Sequence, residues 1–292
     1  MNDILISVIV PAYNIENYIK HSLERIMQQT YQNIEIIVVD DGSTDKTWNV
    51  IEQIAKKDKR IRPFHKKNGG VSSARILGIK ESKGEYIGFV DGDDYIEPEM
   101  YQHLIENAIK YNADISHCGY KMIYPNGNIE CYYGTEELRE QSHSVALIDL
   151  LEGKQIEPSL GNKLFCRKSI EGFLNSSLWD KDIKINEDLL MNYIFFKKAS
   201  KAIYEDKTFY HYILRKGSAT TKQTEKYQYL DPLRVITIIK NDVSDNNKLS
   251  KIVYERYLRC LIKVAMQEEW EEESIKSRVI LRNEIKFYEY KN

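Results

Sequence analysis

Apolar residues fall along the first third of the chain in a repeating order of short strand, polar loop and amphipathic helix. Leu5-Ile6-Ser7-Val8-Ile9-Val10 is nearly continuous in apolar character, the pattern of a strand covered on both faces in a parallel sheet, and Pro11-Ala12-Tyr13-Asn14 follows as its exit loop. From Glu16 to Gln28 the residues Tyr18, Ile19, Leu23, Ile26 and Met27 recur at helical spacing and predict one buried stripe. A second β-branched run, Ile34 to Val39, ends in Asp40-Asp41-Gly42-Ser43-Thr44-Asp45 and leads to a helix carrying Trp48, Ile51 and Ile54, with Asp45 as its cap. A short strand near Ile61 to Phe64, the loop Asn68-Gly69-Gly70 and a helix containing Arg75 form the third unit. The fourth strand, Tyr86-Ile87-Gly88-Phe89-Val90, stops at Asp91-Gly92-Asp93-Asp94. Alternation of this kind predicts an open, mostly parallel α/β sheet, in which ligands bind beyond the carboxyl ends of the strands. The exit loops starting at Pro11, Asp40 and Asp91 therefore gather at one edge.

The regularity ends after a helix from Met100 to Asn112. Ile115–Tyr124 and Ile129–Tyr133 flank Pro125-Asn126-Gly127-Asn128 and predict a hairpin. A helix from Glu136 to Leu151, a segment around Asn162 to Phe165, and the step Asn186-Glu187-Asp188-Leu189 into a Phe-rich helix make an α+β second half. Beyond Lys222 the chain is charged and helical. The expected organisation is a main domain over 1–222, divided at 99/100 into a nucleotide half and an acceptor half, with a helical extension over 223–292.

Composition narrows the chemistry. Of 292 residues, 42 are Lys or Arg and 44 Asp or Glu, so no charge excess points to nucleic acid, and any phosphate site must be local. The four cysteines lie far apart with no CxxC pair, against a zinc site or a disulfide framework, and a reduced, cytoplasmic setting is expected. Met1 to Ser7 reads as the start of a strand and not as a signal peptide, and no apolar run approaches the ~20 residues of a membrane span. At most the protein would be peripheral to a membrane. Five glutamates around Trp270 (Glu268, Glu269, Glu271, Glu272 and Glu273) would be repelled by anionic lipid, which favours packing or self-association through the extension.

Two readings fit Asp91-Gly92-Asp93-Asp94 taken alone. It is an acidic turn that ends a strand, or a cradle for one divalent cation, Mn²⁺ or Mg²⁺, in which alternate strand positions aim Asp91 and Asp93 the same way while Gly92 keeps clear of a ligand. An EF-hand is excluded, since counting from Asp91 the required Gly and Glu positions hold Ile96 and Gln102. A sugar nucleotidyltransferase would want a Gly-rich loop after the first strand, where Pro11-Ala12-Tyr13-Asn14 stands. A non-catalytic nucleotide-sugar or glycan binder is opposed by the intact Asp91, Asp93 and Asp188.

Ser7 to Asn14, Val38 to Asp45, Asn68-Gly69-Gly70-Val71-Ser72-Ser73-Ala74-Arg75 and Asp91 to Asp94, in this order, resemble family 2 of the glycosyltransferases with the GT-A fold, over roughly the first two-thirds of the chain. The resemblance implies an inverting, metal-dependent enzyme that moves a sugar from a nucleotide diphosphate sugar, usually a uridine diphosphate (UDP) sugar, to a saccharide or lipid-linked saccharide. Residue by residue it implies that Pro11, Ala12 and Tyr13 border the base and ribose, and that Asp41, or Asp40 beside it, accepts the base imide proton. Arg75 is implied to meet phosphate. Asp93 is implied to ligate the metal, with Asp91 on ribose or a metal-bound water next to Gly92. Glu187-Asp188 is implied as the acceptor-side pair, Asp188 as base and Glu187 in support. The run from Tyr210 to Ser218 resembles a late loop that closes over the diphosphate, which brings in Arg215 and Ser218 as phosphate contacts and His211 as a further metal ligand. Ile76 departs from the pattern, since relatives commonly carry Asn there.

Overall fold

The structure is a computed structural model of the chain and describes residues 4–131, 135–153, 156, 158–215, 225–243, 248–267 and 270–291. The four predicted strand units are present: β1 (Ile6–Ala12), α1 (Ile19–Met27), β2 (Ile34–Asp40), α2 (Thr47–Ala55), β3 (Ile61–His65), α3 (Val71–Glu81) and β4 (Tyr86–Phe89). After β4 come β5 (Tyr95–Ile96), α4 (Met100–Lys110), β6 (Ile115–Ile123) and β7 (Ile129–Cys131). The predicted hairpin is there, with β6 and β7 antiparallel around the Pro125–Asn128 turn.

The next region departs from expectation. Residues 138–142, read from sequence as the start of a helix, form β8 (Leu138–Ser142), and α5 (His143–Glu152) begins only after it. Tertiary pairing overrides the helical pattern: β8 lies antiparallel to a later strand, and its Gln141 is fully buried between His117 and Asp149. β9 (Lys163–Cys166), α6 (Arg167–Ile170), α7 (Glu187–Lys198), β10 (Lys201–Ile213), α8 (Tyr227–Asp242), α9 (Lys248–Ala265) and α10 (Glu271–Lys291) complete the order. Tyr210 to Ile213, expected in a closing loop, belong to β10, where Tyr210 and His211 pair with Ile96 and Tyr95.

One sheet runs through both expected halves of the main domain, in the order β3-β2-β1-β4-β9-β6-β10-β5, with β7 beside β6 and β8 beside β10. Its first four strands are parallel, and β9 joins β4 and β6 antiparallel to both. Strand alternation accounts for the two cores. Ile6, Val8 and Val10 point to the face covered by α1, α2 and α4, while Ile9, Ile87 and Phe89 point to the face packed by α5, α7, α8 and α9. Both faces being covered is why β1 and β2 are buried at every position. Val235, Ile236, Ile239, Val253, Tyr257 and Leu261 join the second core, so α8 and α9 are packed onto the main domain. Among the described residues no helix is long and apolar enough to cross a membrane.

Candidate active site

The loops after β1 and β2 hold each other through the short polar residues of the Asp-Gly-Ser-Thr-Asp run. Asn14, in the left-handed region at φ 50°, accepts the Thr44 N–H at 2.8 Å and donates its own N–H to Ser43 Oγ at 2.9 Å. Asp45 is not the N-cap of α2, a position held by Lys46, but from one residue before it accepts the N–H groups of Thr47 (2.9 Å), the first residue of α2, and of Glu16 (3.1 Å), and so ties the helix start to the neighbouring loop.

The two adjacent carboxylates left unseparated by the sequence have different partners. Asp40 is fully buried, accepts the N–H and hydroxyl of Ser43, and pairs with His65 Nδ1 at 2.6 Å. Asp41 faces the double-glycine loop and accepts the N–H groups of Gly69 (3.0 Å) and Gly70 (2.7 Å) together with the Lys66 ammonium. Gly42 makes this approach feasible, since its φ is 74° and a Cβ there would stand 2.7 Å from the Asn68 nitrogen. Pro11 and Ala12 are buried in β1, whereas Tyr13 is 47% exposed at the rim.

The carboxylates beyond β4 are set by a turn, not by strand alternation as expected. β4 ends at Phe89, and the Asp94 N–H closes onto the Asp91 carbonyl at 2.9 Å. Gly92 also has a different reason from the one expected. Its N–H donates to the Pro11 carbonyl at 3.2 Å, and a Cβ would sit 2.6 Å from Ile15 Cδ1 and 2.9 Å from Pro11 O, so only glycine lets this turn close on the β1 loop. Asp94, to which sequence reasoning gave no role, is the anchor. It is buried, accepts the Tyr210 hydroxyl (2.7 Å) and the Ile213 N–H (2.8 Å), and Tyr210 in turn accepts the Asp91 N–H at 3.3 Å. Burial, reinforced by Asp93 and Asp91, pushes the Asp94 carboxyl well above the usual range. The sequence signal was only a third carboxylate in the run. Its partners lie on β10, too far along the chain to be read.

Arg75 ties the Asp91 turn to the start of α7. On α3 and 5% exposed, it donates from one terminal nitrogen to Asp91 at 2.9 Å and from the other to Glu187 at 2.7 Å, while its Nε has no partner. Expected on phosphate, its forked end is instead engaged by carboxylates that would otherwise repel each other. At the start of α7, Asn186 adopts the left-handed region at φ 66°. Glu187 is turned inward to Arg75, and Asp188 is half-buried with one oxygen on the Leu189 N–H at 2.8 Å. Burial raises the Glu187 carboxyl above its ordinary range although Arg75 opposes the rise. Asp188 is close enough to add to the field that holds Arg75 charged.

Arg215 balances the other carboxylate. Its Nε donates to Asp93 at 2.6 Å, and its guanidinium lies 5.4 Å from the Tyr18 ring centroid. Burial, then the Asp91 charge, raises the Asp93 carboxyl, with Arg215 opposing. His211 does not join this group. Its Nε2 is 2.7 Å from Glu97, its ring lies 4.4 Å from that of Tyr95, and burial followed by Lys121 lowers it to about 4. No set of three or more His, Cys, Asp or Glu among the described residues could hold a metal unaided. Asp91 and Asp93 alone suit a cation that draws its remaining oxygen ligands from a diphosphate and water. Ser218 lies outside the described residues.

Residues 7–170 match the sequence model of glycosyl transferase family 2. The glycosyltransferase GlyA of Streptococcus pneumoniae is 34% identical over 238 residues, covering 77% of this chain and 32% of that protein. EpsJ of Bacillus subtilis, an uncharacterised glycosyltransferase, is 36% identical over 224 residues, 74% of this chain and 63% of its own length. The chain thus spans less than two thirds of either relative. Among solved structures, Staphylococcus aureus TarS 1–349 in complex with UDP-GlcNAc superposes with a TM-score of 0.74 over 93% of this chain and 79% of that one, at 22% identity. The mannosyltransferase PcManGT of Pyrobaculum calidifontis, in complex with GDP-Man and Mn²⁺, gives 0.60 over 97% of this chain and 79% of its own, at 15% identity. The architecture is the GT-A fold.

Proposed function

The chain belongs to glycosyl transferase family 2, and on that basis we propose that it moves a sugar from a UDP-sugar to a hydroxyl of a saccharide or lipid-linked saccharide, with inversion at the anomeric carbon. The observation that carries this reading is the convergence of Asp91, Asp93 and Arg215 at the turn after β4 with Glu187 and Asp188 at the start of α7, bridged by Arg75. The Tyr13 ring, rooted by Pro11 and Ala12, borders the base, and Asp41 shares its carboxylate between the glycine N–H groups and the base imide. Asp93, with Asp91 beside it, would hold Mn²⁺ or Mg²⁺, which neutralises charge on the departing diphosphate. Arg215 then exchanges Asp93 for phosphate, a partner that its planar fork also fits. Asp188 takes the proton of the attacking hydroxyl. Glu187, fixed on Arg75, holds Asp188 in place at the helix start, where free backbone N–H groups favour carboxylates.

The test is a panel of UDP- and GDP-sugars with and without Mn²⁺, read by thermal shift and by release of the nucleoside diphosphate. A UDP-sugar should raise the melting temperature more with Mn²⁺ than without. Asp188→Asn keeps the shape and removes the basic oxygen, so transfer should fall by on the order of 10²–10⁴ with donor affinity nearly constant. Near-normal transfer by Asp188→Asn alongside an inactive Glu187→Gln would reverse the two roles.

A further inference from the structure

α9 and α10 form an antiparallel hairpin. Ser274 Oγ and Arg278 Nε both donate to the Ala265 carbonyl (2.8 and 3.0 Å), and the Tyr254 hydroxyl donates to Glu284 at 2.6 Å near the other end. α10 turns Ser274 and Ser277 inward and leaves Ile275 and Val279 each 49% exposed. Along its outward side Glu272, Ile275, Val279 and Arg282 follow at spacings of three, four and three, which is the seam spacing of paired helices, and all four are exposed. The stripe has an anion at one end, a cation at the other and two aliphatic side chains between them.

We infer that two copies of the chain pair through this stripe, α10 against α10, antiparallel about a two-fold axis. In a two-fold contact a residue meets a position on the other copy and the second position meets the first in return. The register that packs Ile275 on the partner's Val279 also sets Glu272 opposite the partner's Arg282, so the ionic ends match without further adjustment. The two charges lie about 15 Å apart along the helix, room for the two apolar layers between them. Forming the contact trades the Glu272–Lys276 ion pair, whose side chains are 72% and 67% exposed, for a pair shielded by the interface. A lipid surface fits less well, because the sequence carries five glutamates between positions 268 and 273, around the stripe's first residue, and these would be repelled by anionic lipid. This pairing does not depend on the proposed reaction.

Light scattering on the full chain, eluted at concentrations from about 1 µM to about 200 µM, should show a dimer that dissociates on dilution. Ile275→Lys should give a monomer whose melting temperature matches the wild type's at the dilute end of the range, since the side chain is half exposed, and falls below it where the wild type is dimeric. Glu272→Arg and Arg282→Glu should each weaken dimerisation by about fivefold, and the double swap should restore it. A wild-type monomer throughout the range overturns the proposal. So does a dimer indifferent to Ile275→Lys, or a double swap weaker than both singles. Retention on phosphatidylserine vesicles that Ile275→Lys abolishes, with the wild type monomeric, would give the face to lipid instead.

Discussion

Arg75→Met is the most informative single change. The substitution keeps the length of the stem and removes a guanidinium that lies 2.7 Å from Glu187 and 2.9 Å from Asp91. The side chain of Glu187 is 10% exposed and that of Asp91 31%, so the Glu187 charge carries most of the penalty and Asp91 is partly rescued by water. Breaking a buried pair on one side costs ~3–5 kcal/mol. Discounting the exposed partner leaves about 3 kcal/mol, or a fall of roughly 6 °C in melting temperature for a chain of this size. Glu187→Met added to Arg75→Met removes the orphaned charge and should recover most of that loss, because an apolar pair of similar volume often replaces a buried ion pair without net cost. Calorimetry on wild type, both singles and the double closes the cycle. UDP-sugar affinity of Arg75→Met should stay close to wild type while transfer falls about a hundredfold or more, if Glu187 and Asp188 have the proposed roles and lose their fixed position. If donor affinity collapses and the melting temperature does not move, Arg75 acts as a phosphate ligand and the bridge is incidental. A double variant less stable than Arg75→Met would also refute the reasoning.

Two further outcomes follow from charges away from that bridge. Burial, then Lys163, pushes the His117 imidazole down to about 3, below the ~6.5 of an unfolded histidine. With the folded value depressed, stability is intact above pH 6.5 and is lost as pH falls towards 3, by about 1.4 kcal/mol per unit, because only the unfolded chain takes up the proton. Melting temperatures at pH 7.5 and 5.5 should therefore differ more for the wild type than for His117→Gln, and equal slopes would exclude this source. Arg215→Ala frees Asp93 from its ion pair, so Mn²⁺ should bind the nucleotide-free protein about threefold to tenfold more tightly while transfer falls. Unchanged Mn²⁺ affinity by calorimetry would show that Arg215 and a cation do not compete for Asp93.

The sequence revealed what is local and missed what is paired at a distance. β1, β2 and β4 were legible because a strand buried on both faces is an unbroken apolar run, and their exit loops because Gly, Asp and Ser are turn chemistry. β8 was misread because Leu138 to Ser142 has no strong preference of its own and is a strand only against β10. β10, thirteen residues long, was hidden by Glu205, Asp206 and Lys207 in its middle, where its register with β6 shifts. At the candidate site, Asp91, Asp93 and Glu187-Asp188 could be picked out as acids at element ends. Nothing local could show that Arg75 reaches Glu187 across 112 residues, or that Asp94 is held by Tyr210.

The strand order also bears on how the chain is made. β4 receives its outer neighbour only when Lys163 to Cys166 arrive, and β5 waits for Tyr210 and His211. At ribosomal speed each wait is on the order of ten seconds: through the first β4 shows an unsatisfied edge, and through the second the Asp91 turn lacks the tyrosine beneath it. A nascent N-terminal half is thus a sticky intermediate and not a small domain biding its time. Slower elongation ahead of residue 163 would prolong that exposure, a truncation at residue 99 would make it permanent, and chimeras spliced there would have to rebuild the β4–β9 and β5–β10 pairings across the join. Donor or acceptor preference is better exchanged loop by loop at the sheet's edge than half by half.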